Sequence, residues 1–133
     1  MSKTNFSRNK IQDYLFGGVS FTAPATYYMG LSTTIPSVSG SNFTEPAGAG
    51  YARVSFTSNK TNFGYSSSGC VVNSASIVFP ETSGSWGTIL SIGLFDASTS
   101  GSLWEYSVLS TPKVVQDTTV ISFSAGAIAA SMT

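Results

Sequence analysis

The chain is written as short apolar runs cut by Gly, Pro, Ser and Asn, and the fullest of these patterns lies between Ser76 and Tyr106. Ile77, Val78 and Phe79 stop at Pro80, which has no N–H for a sheet ladder and is confined to strand ends, edges or bulges. After Ser83-Gly84-Ser85, Thr88, Leu90, Ile92 and Leu94 alternate with Ile89, Ser91, Gly93 and Phe95. Apolar residues in both sets predict a strand buried on both faces, which makes it the candidate for the centre of a sheet. The loop Asp96 to Gly101 then leads into Leu103, Trp104, Tyr106, Val108 and Leu109, a returning strand expected to pair antiparallel.

Further runs predict strands at Thr26–Ser32, Tyr51–Phe56, Cys70–Val72, Thr119–Phe123 and Ala127–Ala129. Pro112 is expected to break the chain before Lys113-Val114-Val115. One segment has helical spacing: Ile11, Tyr14 and Leu15 fall at i, i+3 and i+4 with Phe6 near the same face. Thr4, Asn5 or Ser7 would cap its start, and Gly17-Gly18 offers a left-handed stop. From Thr33 to Gly50 the composition turns to Ser, Gly, Pro, Ala and Thr, so a long loop is expected, of the length that commonly carries function. The predicted fold is all-β, an antiparallel β-sandwich of jelly-roll type with a short N-terminal helix. It would form a single domain overall, with residues 1–18 as an N-terminal arm and short helix and residues 19–133 as the β-sandwich.

Charge changes this picture. Only 9% of the 133 residues are Asp, Glu, Lys or Arg and the formal net charge is zero, against roughly 25% charged in an ordinary soluble domain. A surface so poor in charge has weak protection against self-association, so copies of the chain or another protein are expected to cover much of it. Six basic against six acidic residues argue against nucleic acid as a partner, because phosphate binding needs clustered Lys and Arg. No apolar run reaches the roughly 20 residues that span a bilayer, so no membrane partner is expected. Met1-Ser2-Lys3 does not open a secretory signal, and the single cysteine, Cys70, reads as a free thiol.

The chemistry is equally sparse. The absence of His removes the usual general base, the Ser-His-Asp arrangement and the commonest zinc ligand. Glu81, Asp96 and Glu105 lie near strand ends where a glycosidase pair is conceivable, but they read as surface and turn residues, with Asp96 placed to cap its loop. Trp86 and Trp104, with Tyr27, Tyr28, Tyr51 and Tyr106, could build a sugar-stacking platform, although aromatics in strands pack inward more often. The Gly-rich run at Gly48 lacks the Lys-Ser/Thr of a phosphate loop. No catalytic residue, cofactor or metal is expected. The candidate contact residues are Lys3, Arg8 and Lys10 on the N-terminal arm and Phe43, Glu45 and Pro46 in the long loop.

The order AxYYMGLSTTIP, NFTEPAGAGYARV, SIVFPETSGSWGTILSIGLFDASTSGSLWEYSVLSTPKVV and FSAGAIA resembles a family of small virion proteins of tailed bacteriophages. Its members are commonly labelled tail-fibre proteins, and similar small β-rich proteins decorate or cement capsids. The likeness runs from about Tyr14 to Ile128 and is carried by Gly50-Tyr51-Ala52-Arg53, Phe79-Pro80, Ser85-Trp86-Gly87, Gly93-Leu94-Phe95-Asp96 and Thr111-Pro112-Lys113. It implies a structural role without catalysis on the virion exterior, as a homotrimer or other repeated assembly on a phage capsid or tail protein, put together in the host cytoplasm. Capsid decoration is the expected role. A tail or tail-fibre component meeting the host surface is the alternative, and a carbohydrate-binding module is the reading from a different class.

Overall fold

The computed structural model describes residues 1–132. In chain order its elements are β1 (Ser2–Lys3), α1 (Asn5–Gly17), β2 (Thr26–Ser32), β3 (Val54–Thr57), β4 (Cys70–Val72), β5 (Ile77–Val78), β6 (Gly87–Phe95), β7 (Leu103–Val115), β8 (Ser122–Phe123) and β9 (Ala129–Ser131). The run with apolar residues in both alternating sets becomes β6, the middle strand of a five-stranded antiparallel sheet ordered β1-β7-β6-β2-β3. Two antiparallel ribbons, β4-β9 and β5-β8, accompany it. A jelly roll has two four-stranded sheets; the ladders described here instead form this open sheet and two ribbons.

One face of the sheet carries Met29 and Leu31 from β2 and Ile92 and Leu94 from β6, all buried, and they pack with Ile77, Phe79, Ile121 and Ile128 from the ribbon side. The other face is lean at its centre, where Gly30 pairs with Gly93 and Ser32 with Ser91. The long loop lies across this second face. Thr33 N–H donates to Thr44 O at 2.9 Å, Thr44 N–H to Ser32 Oγ at 2.9 Å and Ser91 Oγ to Thr34 O at 2.7 Å, so the loop is fastened along its length.

Four expectations of the sequence need correction. Pro112 does not end a strand: β7 runs on through it. Ile89 pairs with Lys113 but Ser91 with Val108, so Leu109 to Pro112 stand against Leu90 alone, and a proline in such a bulge leaves no ladder donor missing. The strand expected from Tyr51 begins only at Val54. The β2–β3 ladder ends at Met29↔Val54, and Leu31 N–H donates instead to the Tyr51 hydroxyl at 3.0 Å. The strand expected over Thr119–Phe123 contracts to Ser122–Phe123, and the one expected over Ala127–Ala129 lies further on, at Ala129–Ser131, where it pairs with Cys70–Val72.

The helix begins at Thr4, whose buried hydroxyl donates to Leu103 O at 2.6 Å and accepts from Ser7 N–H. It ends at Gly18 in the left-handed conformation, φ 66°. Ahead of it, β1 adds an unforeseen short edge strand to the chain's own sheet, with Ser2 opposite Tyr106 and Lys3 opposite Glu105.

Candidate functional site

Two constructions stand out: a buried lock that holds the long loop on the sheet, and an uncovered apolar helix end. The lock is made possible by the Gly30–Gly93 pair. A Cβ at Gly93 would stand 2.7 Å from Phe43 Cε2, and one at Gly30 would stand 2.9 Å from Glu45 Oε1, closer than packed side chains tolerate. Only a backbone without side chains leaves this slot, and Phe43 and Glu45 enter it. Phe43 meets Phe95 edge to face, ring centroids 4.9 Å apart.

Glu45 is gripped by Arg53 in a two-pronged pair, Nε to Oε1 and Nη2 to Oε2, each 2.8 Å. Arg53 Nη1 donates to Ala97 O at 2.7 Å and Ser100 O at 2.9 Å, while its guanidinium lies 3.6 Å from the Phe95 ring centroid. One side chain, 5% exposed, thus ties the long loop to the Asp96–Gly101 loop. Tyr51 adds a hydrogen bond from its hydroxyl to Glu45 Oε1 at 2.6 Å. Burial acts to raise the Glu45 pKa, but the hydrogen bonds from Arg53 and Tyr51 and the charge of Arg53 outweigh it, so the net shift is downward. Burial, followed by the hydrogen bond to Glu45, pushes the Tyr51 phenol upward, keeping it a neutral donor.

The helix shows the opposite economy. Ser7 is buried and Phe6 sets its ring edge on Trp104 at 5.3 Å, so the first turns sit on the sheet. A bulge at Trp104, between the pairs Leu94↔Glu105 and Phe95↔Leu103, turns its carbonyl toward the helix start. That oxygen accepts from Thr4 N–H at 3.0 Å and Ser7 Oγ at 2.7 Å. Beyond Ile11 this support ends. Tyr14, Leu15, Phe16 and Val19 are 56%, 60%, 85% and 57% exposed, with Phe21 bridging Tyr14 to Trp104 through ring contacts at 6.1 Å.

The candidate contact residues divide between these places. Lys3 forms an ion pair with Glu105 at 2.9 Å, and Lys10 stands 4.9 Å over the Phe6 ring. Arg8 is an exposed residue of the helix. Phe43 and Glu45 face into the lock, and Pro46 beside them is half-buried. The contact residues read from sequence do not include the Tyr14–Val19 patch, although the helical spacing places Tyr14 and Leu15 on the helix's apolar face. The missing signal was the extent of the sheet beneath them.

The alternative chemistries find little support in the geometry. Trp86 and Trp104 are buried; their indole N–H groups donate to Ala49 O and to Asp96 Oδ2, so neither offers a face for stacking on a sugar. Asp96 caps its loop as expected, accepting from Ser102 N–H at 2.8 Å. Glu105 is held by Lys3, and Glu81 is exposed outside the strands.

A family model described as podophage GP4 fiber I protein gp80 matches residues 2–131. No curated protein matches the chain.

Proposed function

The chain belongs to the podophage GP4 fiber I protein gp80 family, and on that premise we propose that it is a non-enzymatic building block of a phage fibre, working through assembly. The observation that carries this reading is the uncovered apolar end of α1 on a chain with only 9% charged residues. A surface of that kind suits burial against protein. In this reading the domain of residues 19–133 is the rigid body and the segment of residues 1–18 is the assembly element, with Arg8 and Lys10 flanking its apolar end. Lys3, Phe43 and Glu45 serve inside the subunit, keeping the helix and the long loop in place.

Capsid decoration remains the competing position on the same virion, since a small β-rich subunit that bridges capsid proteins would present a similar face. Gold-labelled antibody against the chain, imaged on intact particles by electron microscopy, separates them. Label confined to fibres at the tail supports the proposal. Label spread over the head overturns the fibre position in favour of decoration.

A further inference from the structure

We infer that the open end of the core, between the sheet and the β4-β9 ribbon, binds one neutral sugar ring, with Glu105, Tyr27 and Ser58 receiving its hydroxyls. This goes beyond the assembly role and gives the chain a ligand.

Register places four residues together on the core face of the sheet. Met29 is opposite Leu94, Leu94 is opposite Glu105, and Tyr27 lies two residues before Met29, which returns it to the same face. Met29 and Leu94 are buried in the core. Glu105 is the exception in this row, a carboxylate 14% exposed beside a Lys3 side chain 13% exposed. A pair so shielded contributes little that well-packed apolar residues would not. Stability alone therefore does not account for a carboxylate at the edge of the core.

Around Glu105 the core does not close. A cleft of about 260 Å³ runs between these sheet residues, Val71 and Ala130 of the ribbon, and the turn that holds Ser58, Asn59 and Phe63. Sites for drug-sized molecules occupy roughly 300–1,000 Å³, so this one suits a single ring of about a dozen non-hydrogen atoms.

Its walls offer two kinds of surface. Leu94, Val71 and Ala130 are apolar, and the rings of Tyr27 and Phe63 both rest on Phe56, with centroids 6.2 and 5.4 Å away. The polar groups are unspent. Glu105 Oε1 takes Lys3 Nζ and Asn59 Oδ1 takes Asn62 N–H. Among the described residues nothing hydrogen-bonds to Glu105 Oε2, Asn59 Nδ2 or the hydroxyls of Tyr27 and Ser58. Burial, then the charges of Glu105 and Asp96, push the Tyr27 phenol upward, so it stays a neutral donor. An acceptor, a donor and two hydroxyls beside apolar walls match a sugar ring, whose hydroxyls donate and accept and whose C–H faces are apolar.

Charge selects a neutral ring over an ionic one. Glu105 is balanced by Lys3 at 2.9 Å, while Lys60 Nζ donates to Gly64 O at 3.2 Å and stands 4.8 Å over the Tyr65 ring. Neither charge stands unpartnered in the cleft.

The test is titration of the isotopically labelled full-length chain with the methyl pyranosides of glucose, galactose and mannose, followed by amide chemical shifts. At least one is expected to shift the amides of Tyr27, Ser58 and Val71 with a Kd of about 1 mM, the affinity ordinary for so few atoms. Methyl glucuronide should bind no more tightly than the glucoside. Tyr27→Phe, which keeps the ring, should weaken binding at least about three-fold, and Glu105→Gln at least about ten-fold. Tyr28→Phe makes the same change on the opposite face of β2 and should leave binding unaltered. Tyr27→Phe carries the test if Glu105→Gln disturbs the fold through Lys3. Silence from all three glycosides, shifts centred elsewhere, a glucuronide bound ten-fold more tightly, or equal effects of Tyr27→Phe and Tyr28→Phe would each overturn the inference. These outcomes concern the isolated chain, so they are independent of where label falls on the virion.

Discussion

Arg53 ties two loops to each other and to the sheet through one side chain. It joins Glu45 through two hydrogen bonds, reaches two carbonyls of the Asp96–Gly101 loop and stacks on Phe95. A lysine would keep the charge and lose the planar fork. Arg53→Lys is therefore expected to destabilise the fold by about 2–4 kcal/mol, as for a buried pair stripped of its geometry, read from urea unfolding. Limited proteolysis should then cut within residues 33–50, where the wild type resists. Glu45 adds a pH dependence whose sign is fixed by its lowered pKa. In the unfolded chain a glutamate titrates near about 4.3; the folded carboxylate holds its charge to lower pH. The stability it contributes is present above the unfolded value and lost as pH falls through the folded one. Thermal midpoints measured from neutral to acid pH should fall less steeply for Glu45→Gln than for wild type, and parallel curves would remove Glu45 from the acid response. None of this network was legible in the sequence, where Glu45 and Phe43 read as outward contacts. Their inward course depends on Gly30 lying opposite Gly93, a pairing known only once the strand register is set.

At the scale of elements, sequence reasoning succeeded where one local rule governed the outcome. The doubly apolar run became β6 at the sheet's centre, and the helix took one of the anticipated caps, Thr4, with Gly18 as its left-handed stop. It failed at Pro112, where the rule that proline ends a strand met a bulge that removes the need for a donor. Pro112→Ala should accordingly cost less than about 1 kcal/mol, the scale of the altered unfolded-state entropy alone. A larger loss in urea unfolding would mean that the proline shapes the bulge itself. The edge strand β1 was equally hidden, since two residues carry no periodicity.

The whole molecule is a sheet with two differently covered faces, ribbons and core on one and a fastened loop on the other, from which one helix end projects bare. Low charge and the resemblance to phage virion proteins were legible in the sequence; which surface is left uncovered required the fold. The most direct measurement is a reconstruction of the intact particle by electron cryomicroscopy at a resolution that shows side chains. The account predicts this fold repeated in a fibre, with Tyr14, Leu15, Phe16 and Val19 enclosed by neighbouring protein. The chain on the head lattice, or in a fibre with Phe16 open to solvent, would contradict it.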